Sequence, residues 1–419
     1  MKELSDSIPV LDLEWIIAAL TPPDFGDATI MTETAAYWVA YDKIFDNFSK
    51  TTVQAWMAYR TVQALVPYVD TTRKRTWVDC LSHTEATFRH VITRFFVAAR
   101  FPDDAKTLVE SIAEKMKAQV AVNIGKAMWM EIDDRNRTVK KAENMVINVG
   151  YRTSNPDVRS PESLASYYKD VNITRSFFHN VLARRRHESN QQYASTMKPT
   201  DRGLLDQNSY SANAAYHPYY NTVNMFANIL QLPIFHHELP SYATFGGIGS
   251  VIGHEIFHAF DPNSIKFDEN SIHHVWWDND TTANYQSRAQ CIVDQFNNIT
   301  VPVPGGLTEQ VNGELTLAEN LADAGGIRAA YDAWRNMKKM DGKPDANLPG
   351  LEHLTHDQLF YVFFANTWCS SFTEEYNDNG WDNEEHAPGT ARIIGATANS
   401  RGFREAFKCK SKEPTCEVW

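Results

Sequence analysis

Residues 249–262, GSVIGHEIFHAFDP, place two histidines inside an otherwise apolar segment. His254 and His258 are four residues apart, so on a helix their rings project from one face and can bind one ion. Neutral imidazole is a good zinc ligand, and Glu255 between them can accept a proton from water at the metal. The spacing therefore predicts a zinc site with Glu255 as general base. The alternative is a chance match, with both histidines as ordinary core residues.

A third ligand is needed for a catalytic zinc site, and the segment GELTLAENLADAGG at residues 313–326 offers one. Glu319 can complete a His, His, Glu set and leave a coordination position open. Asp323, one turn later on the same face, can accept a hydrogen bond from a ligand histidine and fix its tautomer. The alternative is a capping box from Thr316 to Glu319, in which the glutamate only closes the start of a helix.

The elements that position these residues can be predicted from periodicity. Apolar residues three and four apart predict helices from about residue 31 to 150. Two edge-type strands are predicted in SANAAYHPYYNTVNMF and ANILQLPIF, followed by the glycine-rich segment YATFGGIGS. Pro262 is expected to end the helix that carries the histidines, because proline disfavours the α conformation in the preceding residue.

Composition limits the class of protein. A chain of 419 residues with 43% apolar and 22% charged residues is typical of a globular protein with more than one lobe. The formal net charge of -12 argues against a nucleic-acid partner. We expect no membrane segment and no signal peptide, because no apolar run is long enough and the start is not basic. An extracellular context is nevertheless favoured by four N-x-[ST] sequons, at Asn47, Asn172, Asn279 and Asn298.

The remaining histidines give weaker signals. The pairs His236–His237 and His273–His274 lie in loop-like sequence and are expected to be surface residues. His386 precedes a Pro-Gly turn and stands six residues before Arg392, which alone is a weak indication of function.

Longer strings make the combination specific. LPSYATFGGIGSVIGHEIFHAFD, VNGELTLAENLADAGG, NAAYHPYYN, FFANTWC, HAPGTARIIG and the final CEVW together resemble the neprilysin-like zinc peptidases, family M13, which include the endothelin-converting enzymes. The resemblance implies a mainly α, two-lobed zincin of the gluzincin type with a small β component and a thermolysin-like catalytic lobe. It implies that residues 1–150 are part of an N-terminal helical lobe, 151–204 a connecting region and 205–419 the catalytic domain.

The same resemblance implies a role for individual residues. His254, His258 and Glu319 would bind one zinc ion per chain, with Glu255 as general base and Asp323 as hydrogen-bond partner of a ligand. His386 would stabilise the oxyanion of the tetrahedral stage. The implied substrate-binding residues are Asn213 and Ala214 on a strand edge, Arg392 at a substrate carbonyl, and an apolar pocket of Ile229, Ile234, Val251 and Trp368. Each of these four apolar residues is equally compatible with an ordinary core position.

The five cysteines are an odd number, and the resemblance accounts for them. In the family, the positions of Cys291 and Cys416 pair with each other. Those of Cys80, Cys369 and Cys409 pair with cysteines of an N-terminal part that this chain is expected to lack, which would leave the helical lobe incomplete. Family members are type II membrane or secreted proteins.

The expected function is that of a zinc metalloendopeptidase that cleaves short peptides on the amino side of large hydrophobic residues. A truncated, non-catalytic zinc-binding fragment or decoy is the alternative. An aminopeptidase would need an acidic anchor for the substrate amine, and no motif for one is apparent. The physiological peptide and the oligomeric state do not follow from the sequence.

Overall fold

The computed structural model describes residues 35–70, 72, 74–195, 198–203, 205, 208–303, 307–370 and 384–419, together with positions 6, 8 and 18. Over these residues the protein is mainly helical with a small β component, which confirms the predicted fold class. Among them, no helix combines the length and the apolar character required to cross a bilayer.

The elements are numbered along the chain. The helices are α1 Ala35–Asp46, α2 Lys50–Val69, α3 Trp77–Arg100, α4 Asp103–Gly125, α5 Ile132–Glu143, α6 Pro161–Tyr167, α7 Phe177–Ser195, α8 Ser241–Thr244, α9 Ser250–Phe257, α10 Asn279–Asn297, α11 Leu317–Asp341, α12 His356–Thr367, α13 Gly389–Ala398 and α14 Arg401–Ala406. The strands are β1 Val146–Gly150, β2 Ala214–His217, β3 Thr222–Phe226, β4 Thr300–Val303 and β5 Leu307–Gln310.

The chain forms two compact units, Met1–Ile92 with Ser154–Asp201, and Thr93–Thr153 with Arg202–Trp419. This division differs from the predicted boundaries at residues 150 and 204. The reason is that α4 and α5 pack into the second unit. For example, the side-chain amide of Asn336 on α11 donates to that of Gln119 on α4 at 2.8 Å.

The first unit contains α1, α2, the beginning of α3, α6 and α7. Its aromatic contacts include the ring of His83, whose centroid lies 5.5 Å from that of Tyr68 and 4.9 Å from that of Phe177. Helix α2, every residue of which is described, buries none of its side chains. Helices α6 and α7 lie within residues 151–204, so the predicted connecting region has regular structure of its own.

A three-stranded sheet in the second unit has the order β1-β3-β2, with β1 parallel and β2 antiparallel to β3. Both β2 and β3 come from the first predicted strand run, because the chain turns at Pro218 and at Asn221, whose φ is 47°. The prediction of a strand over residues 227–235 was therefore wrong, since that run forms turns. The prediction of two edge strands was also wrong for β3, which is central. Strand β1 was not predicted.

Helix α9 carries the HEIFH motif and is preceded by a buried π-helix, Phe245–Gly249, that continues directly from α8. A short 3-10 turn, His258–Phe260, follows. The backbone then becomes extended at Asp261, with φ -73° and ψ 167°, immediately before Pro262. This is the expected effect of proline on the preceding residue.

Helices α9 and α11 approach each other backbone to backbone. A Cβ atom added to Gly253 would lie 2.7 Å from the carbonyl oxygen of Gly326, and one added to Gly326 would lie 2.5 Å from the amide nitrogen of His254. Neither position has room for a side chain. Elsewhere in this unit Cys291 on α10 is disulfide-bonded to Cys416, which confirms the pairing implied by the resemblance.

We expect Gly326→Ala to lower the free energy of unfolding by about 1–3 kcal/mol, because the added methyl group must push α9 away. Urea denaturation measures this change. Gly125→Ala is the matched control, since its Cβ would meet only the Cγ2 atom of Val139, at 3.9 Å. Equal stability of the two variants would mean that the two helices can separate without cost.

Candidate active site

The contact between α9 and α11 brings three predicted ligands together. The Nε2 atoms of His254 and His258 are 3.0 Å apart. Glu319 Oε2 lies 3.2 Å from His254 Nε2, and Glu319 Oε1 lies 3.4 Å from His258 Nε2. One helix thus supplies both rings and the other supplies the carboxylate.

The hydrogen bonds around the two rings define where their lone pairs point. His254 Nδ1 is 2.9 Å from Asp323 Oδ1, and His258 Nδ1 is 3.0 Å from Asp261 Oδ2. Because a carboxylate only accepts, each Nδ1 must donate, and the Nε2 of each neutral ring is then an acceptor. Two acceptor nitrogens and a carboxylate therefore face one point, an arrangement that favours a cation there.

The cluster fits zinc. Tetrahedral ligands at about 2.0–2.2 Å from an ion are separated by roughly 3.3 Å. The three distances of 3.0, 3.2 and 3.4 Å agree with that separation. Glu319 Oε2 is also buried and has no hydrogen-bond partner of good geometry among the described residues. Two imidazoles and one carboxylate leave one position of a tetrahedral site for another ligand.

Charges keep the carboxylates of the cluster ionised. Burial alone would raise the pKa of Glu319, but the hydrogen bond and charge of His254, with the charges of His258 and His386, hold it well below its usual range. Burial would likewise raise the pKa of Asp323, and the charge of Arg392 together with His254 lowers it. For His254, burial opposes protonation, yet Asp323 and Glu319 outweigh it and raise the pKa to about 10. The site is therefore negatively charged towards any cation.

The capping-box alternative for Glu319 does not describe this arrangement. Thr316 makes no capping hydrogen bond through its side chain. Its hydroxyl donates instead to the carbonyl oxygen of Asn312 at 2.8 Å. The Glu319 carboxylate is turned towards the two histidines.

A cavity of about 450 Å³ opens beside the cluster. His254 and Glu255 lie on its wall, and Glu255 is only 6% exposed. All seven residues predicted to bind substrate also line it: Asn213, Ala214, Ile229, Ile234, Val251, Trp368 and Arg392. Strand β2, which begins at Ala214, is an edge strand of its sheet. Such an edge can accept an extended peptide by strand addition.

Arg392 is held inside the protein. Its Nε and Nη2 atoms donate to Asp323 at 2.6 and 2.8 Å, and its guanidinium carbon lies 3.6 Å from the centroid of the Trp368 ring. A paired charge stacked on an aromatic ring is fixed in position. Arg392 thus orients Asp323, while its contact with a substrate carbonyl stays a prediction.

His386 lies at the other side of the cluster, with Nε2 3.2 Å from Glu319 Oε2 and its side chain 53% exposed. Its Nδ1 atom is 2.7 Å from Glu384 Oε1. That hydrogen bond lowers the pKa of Glu384. Glu384 was not predicted from the sequence, although an acidic residue two positions before His386 could have suggested it.

Asp261 is a second residue that was not predicted. Its Oδ1 atom accepts from the backbone N–H groups of Asn263 and Ser264 at 2.8 and 2.7 Å, while Oδ2 holds His258. Its position three residues after the second histidine, immediately before Pro262, was the available signal.

The other histidines lie outside this cluster. His274 Nε2 is 2.9 Å from Asp268 Oδ2, and His273 is exposed. His236 and His237 stack with Glu238 close by, at half-exposed or exposed positions.

We expect Asp261→Asn to weaken zinc binding about 10- to 100-fold, since replacing the carboxylate lowers the basicity of the His258 ring. Competition with a chromogenic chelator measures the affinity. Asp268→Asn is a matched control, because Asp268 also accepts from loop N–H groups and from a histidine, but that histidine is not in the cluster. Equal losses in both variants would contradict the assignment of Asp261.

Known proteins resemble the chain over most of its length. Two models described as Peptidase family M13 match residues 1–152 and 213–417. Neprilysin of Homo sapiens is 31% identical over 390 residues, which cover 91% of this chain and 50% of that protein. Membrane metallo-endopeptidase-like 1 of Mus musculus is 28% identical over 452 residues, covering 100% of this chain and 58% of that protein. The chain spans about half the length of the curated relatives it matches.

A solved structure supports the fold. The crystal structure of a Mycobacterium tuberculosis zinc metalloprotease in complex with inhibitor superposes with a TM-score of 0.79 at 23% identity, covering 99% of this chain and 64% of that one. The two family models together account for far more than half of the sequence. The chain belongs to peptidase family M13.

Proposed function

We propose that the chain is a zinc metalloendopeptidase that hydrolyses short peptides. The observation that supports this most is the position of the His254, His258 and Glu319 cluster on the wall of the cavity that also contains Glu255 and the edge of β2. The relatives named above are metallo-endopeptidases or neprilysins by name, which favours the same chemistry.

His254, His258 and Glu319 would hold the ion. When bound, zinc acts as a Lewis acid that polarises a carbonyl group and lowers the pKa of water. Asp323 and Asp261 would keep each histidine in the tautomer whose Nε2 is free to bind. The substrate backbone would extend along Asn213 and Ala214 as an added strand.

Glu255 would accept the proton of the attacking water and deliver it to the leaving amine. A general base needs access to that water, and Glu255 lies next to His254 on the cavity wall. His386 would donate from Nε2 to the oxygen that becomes negative at the tetrahedral stage, with Glu384 fixing the ring.

We expect Glu255→Gln to lower kcat for peptide hydrolysis about 10²- to 10⁴-fold while zinc affinity stays unchanged, because the amide cannot accept the proton. Turnover of a quenched fluorescent peptide and chelator competition give the two readouts. Glu314→Gln, at an exposed position away from the cavity, serves as the control. Zinc binding without turnover in the unsubstituted chain would favour the alternative of a non-catalytic zinc-binding fragment.

The cavity also supports a preference for large apolar side chains. Val251 is buried, and Ile229, Ile234 and Trp368 are half-buried where they line the cavity. Burying a large apolar side chain of the substrate against them would favour its binding.

We expect the scissile bonds in a peptide mixture to precede Phe, Leu or another large apolar residue, for the reason just given. Mass spectrometry of the products maps the bonds. Cleavage that is independent of the residue after the bond would contradict the pocket assignment. Release of single N-terminal residues would indicate an aminopeptidase instead.

We further propose an extracellular location. All four sequon asparagines, Asn47, Asn172, Asn279 and Asn298, are exposed, and the Cys291–Cys416 disulfide is typical of an oxidising compartment. Reduced Cys291 and Cys416 in protein isolated from its native source would contradict this location.

A further inference from the structure

Lys141 on α5 is a fully buried cation, with 0% of its surface exposed. Its Nζ atom donates to the carbonyl oxygens of Ala259, Ser264 and Phe267 at 2.7, 2.9 and 2.7 Å. An ammonium group has three donors, so each donor has one acceptor. All three acceptors belong to the segment 259–267 that follows α9, here called the post-motif loop.

A buried ammonium group is an expensive way to fill space. Burial lowers the pKa of Lys141 to about 7, against the opposing effect of the negative charges of Asp261 and Asp268. An apolar side chain of the same length would avoid this desolvation cost. Without a donor at this position, however, three carbonyl groups of the post-motif loop would lose their hydrogen bonds in the protein interior.

The post-motif loop connects Lys141 to the metal cluster through Asp261. Ala259 and Ser264, which accept from Lys141, flank Asp261 in sequence, and the amide of Ser264 also donates to Asp261 Oδ1. Asp261 Oδ2 in turn holds Nδ1 of His258. Any shift of the loop would therefore move the carboxylate that orients this ring.

Helix α5 is itself anchored, so it can act as a fixed support. The side-chain amide of Asn221 donates to the carbonyl oxygen of Lys141 at 2.8 Å. Arg137 binds both carboxylate oxygens of Glu269 through Nε at 3.1 Å, and the side chain of Asn144 donates to the Glu269 carbonyl oxygen.

We propose that Lys141 is a positioning residue of the candidate metal centre, which clamps the post-motif loop so that Asp261 holds His258 in its ligating tautomer and orientation. The proposal rests on the proposed function, because it takes His258 as a zinc ligand. Lys141 touches neither the cluster nor the cavity, and its action passes through Asp261.

The test uses the full chain with Lys141→Met, which keeps the length of the side chain and removes its donors. We expect the dissociation constant for zinc, measured by chelator competition, to rise about tenfold. We also expect kcat to fall while KM is unchanged. Lys117→Met is the matched control, since Lys117 on α4 also donates to a backbone carbonyl, that of Met145, but contacts no residue of the post-motif loop. Its zinc affinity should equal that of the unsubstituted chain.

A double-mutant cycle separates positioning from a general loss of stability. If Lys141 acts through Asp261, its replacement costs much less zinc affinity in an Asp261→Asn background than alone. Additive effects, or an unchanged affinity in Lys141→Met, would overturn the proposal. Lys141→Gln, which keeps two donors, should give an intermediate affinity and replaces the methionine variant if that variant does not fold. Absence of zinc binding by the unsubstituted chain would instead overturn the proposed function.

Discussion

The close approach of α9 and α11 is the constraint on which the site depends. Two glycines, Gly253 and Gly326, leave the backbones of these helices in contact. At this separation the carboxylate of Glu319 reaches both imidazole rings, whereas the usual side chains between packed helices would keep it away. The geometry of the cluster is therefore set by two residues that carry no functional group.

Outward from the cluster, each buried polar group is satisfied by the next. The histidines donate to Asp261 and Asp323, Asp323 accepts from Arg392, and Asp261 accepts from the amides of its own loop. The carbonyl groups of that loop accept from Lys141. Donors and acceptors, and positive and negative charges, alternate along the series. Such a network is stable when every member is paired, because an unpaired buried group is costly.

Local sequence patterns predicted the part of the site that lies within single helices. His254, Glu255 and His258 share one helix, and the spacing of Glu319 and Asp323 places them on one face of another. Lys141 could not be predicted in the same way, since its three acceptors lie more than a hundred residues away and are backbone atoms with no residue signature. The family strings indicated the mainly helical fold and the Cys291–Cys416 pair. Periodicity failed at β1 and at residues 227–235, where strand pairing and turns override local preference.

The π-helix Phe245–Gly249 has a consequence for how the motif can change in evolution. A π turn contains one more residue than an α turn at the same place. Loss of a single residue from this segment would restore α-helical winding and rotate everything that follows by roughly 100°. His254 and His258 would then face away from Glu319. The number of residues between Ser241 and His254 thus acts as an angular setting, and a one-residue gap there would abolish the cluster although HEIFH itself remained intact.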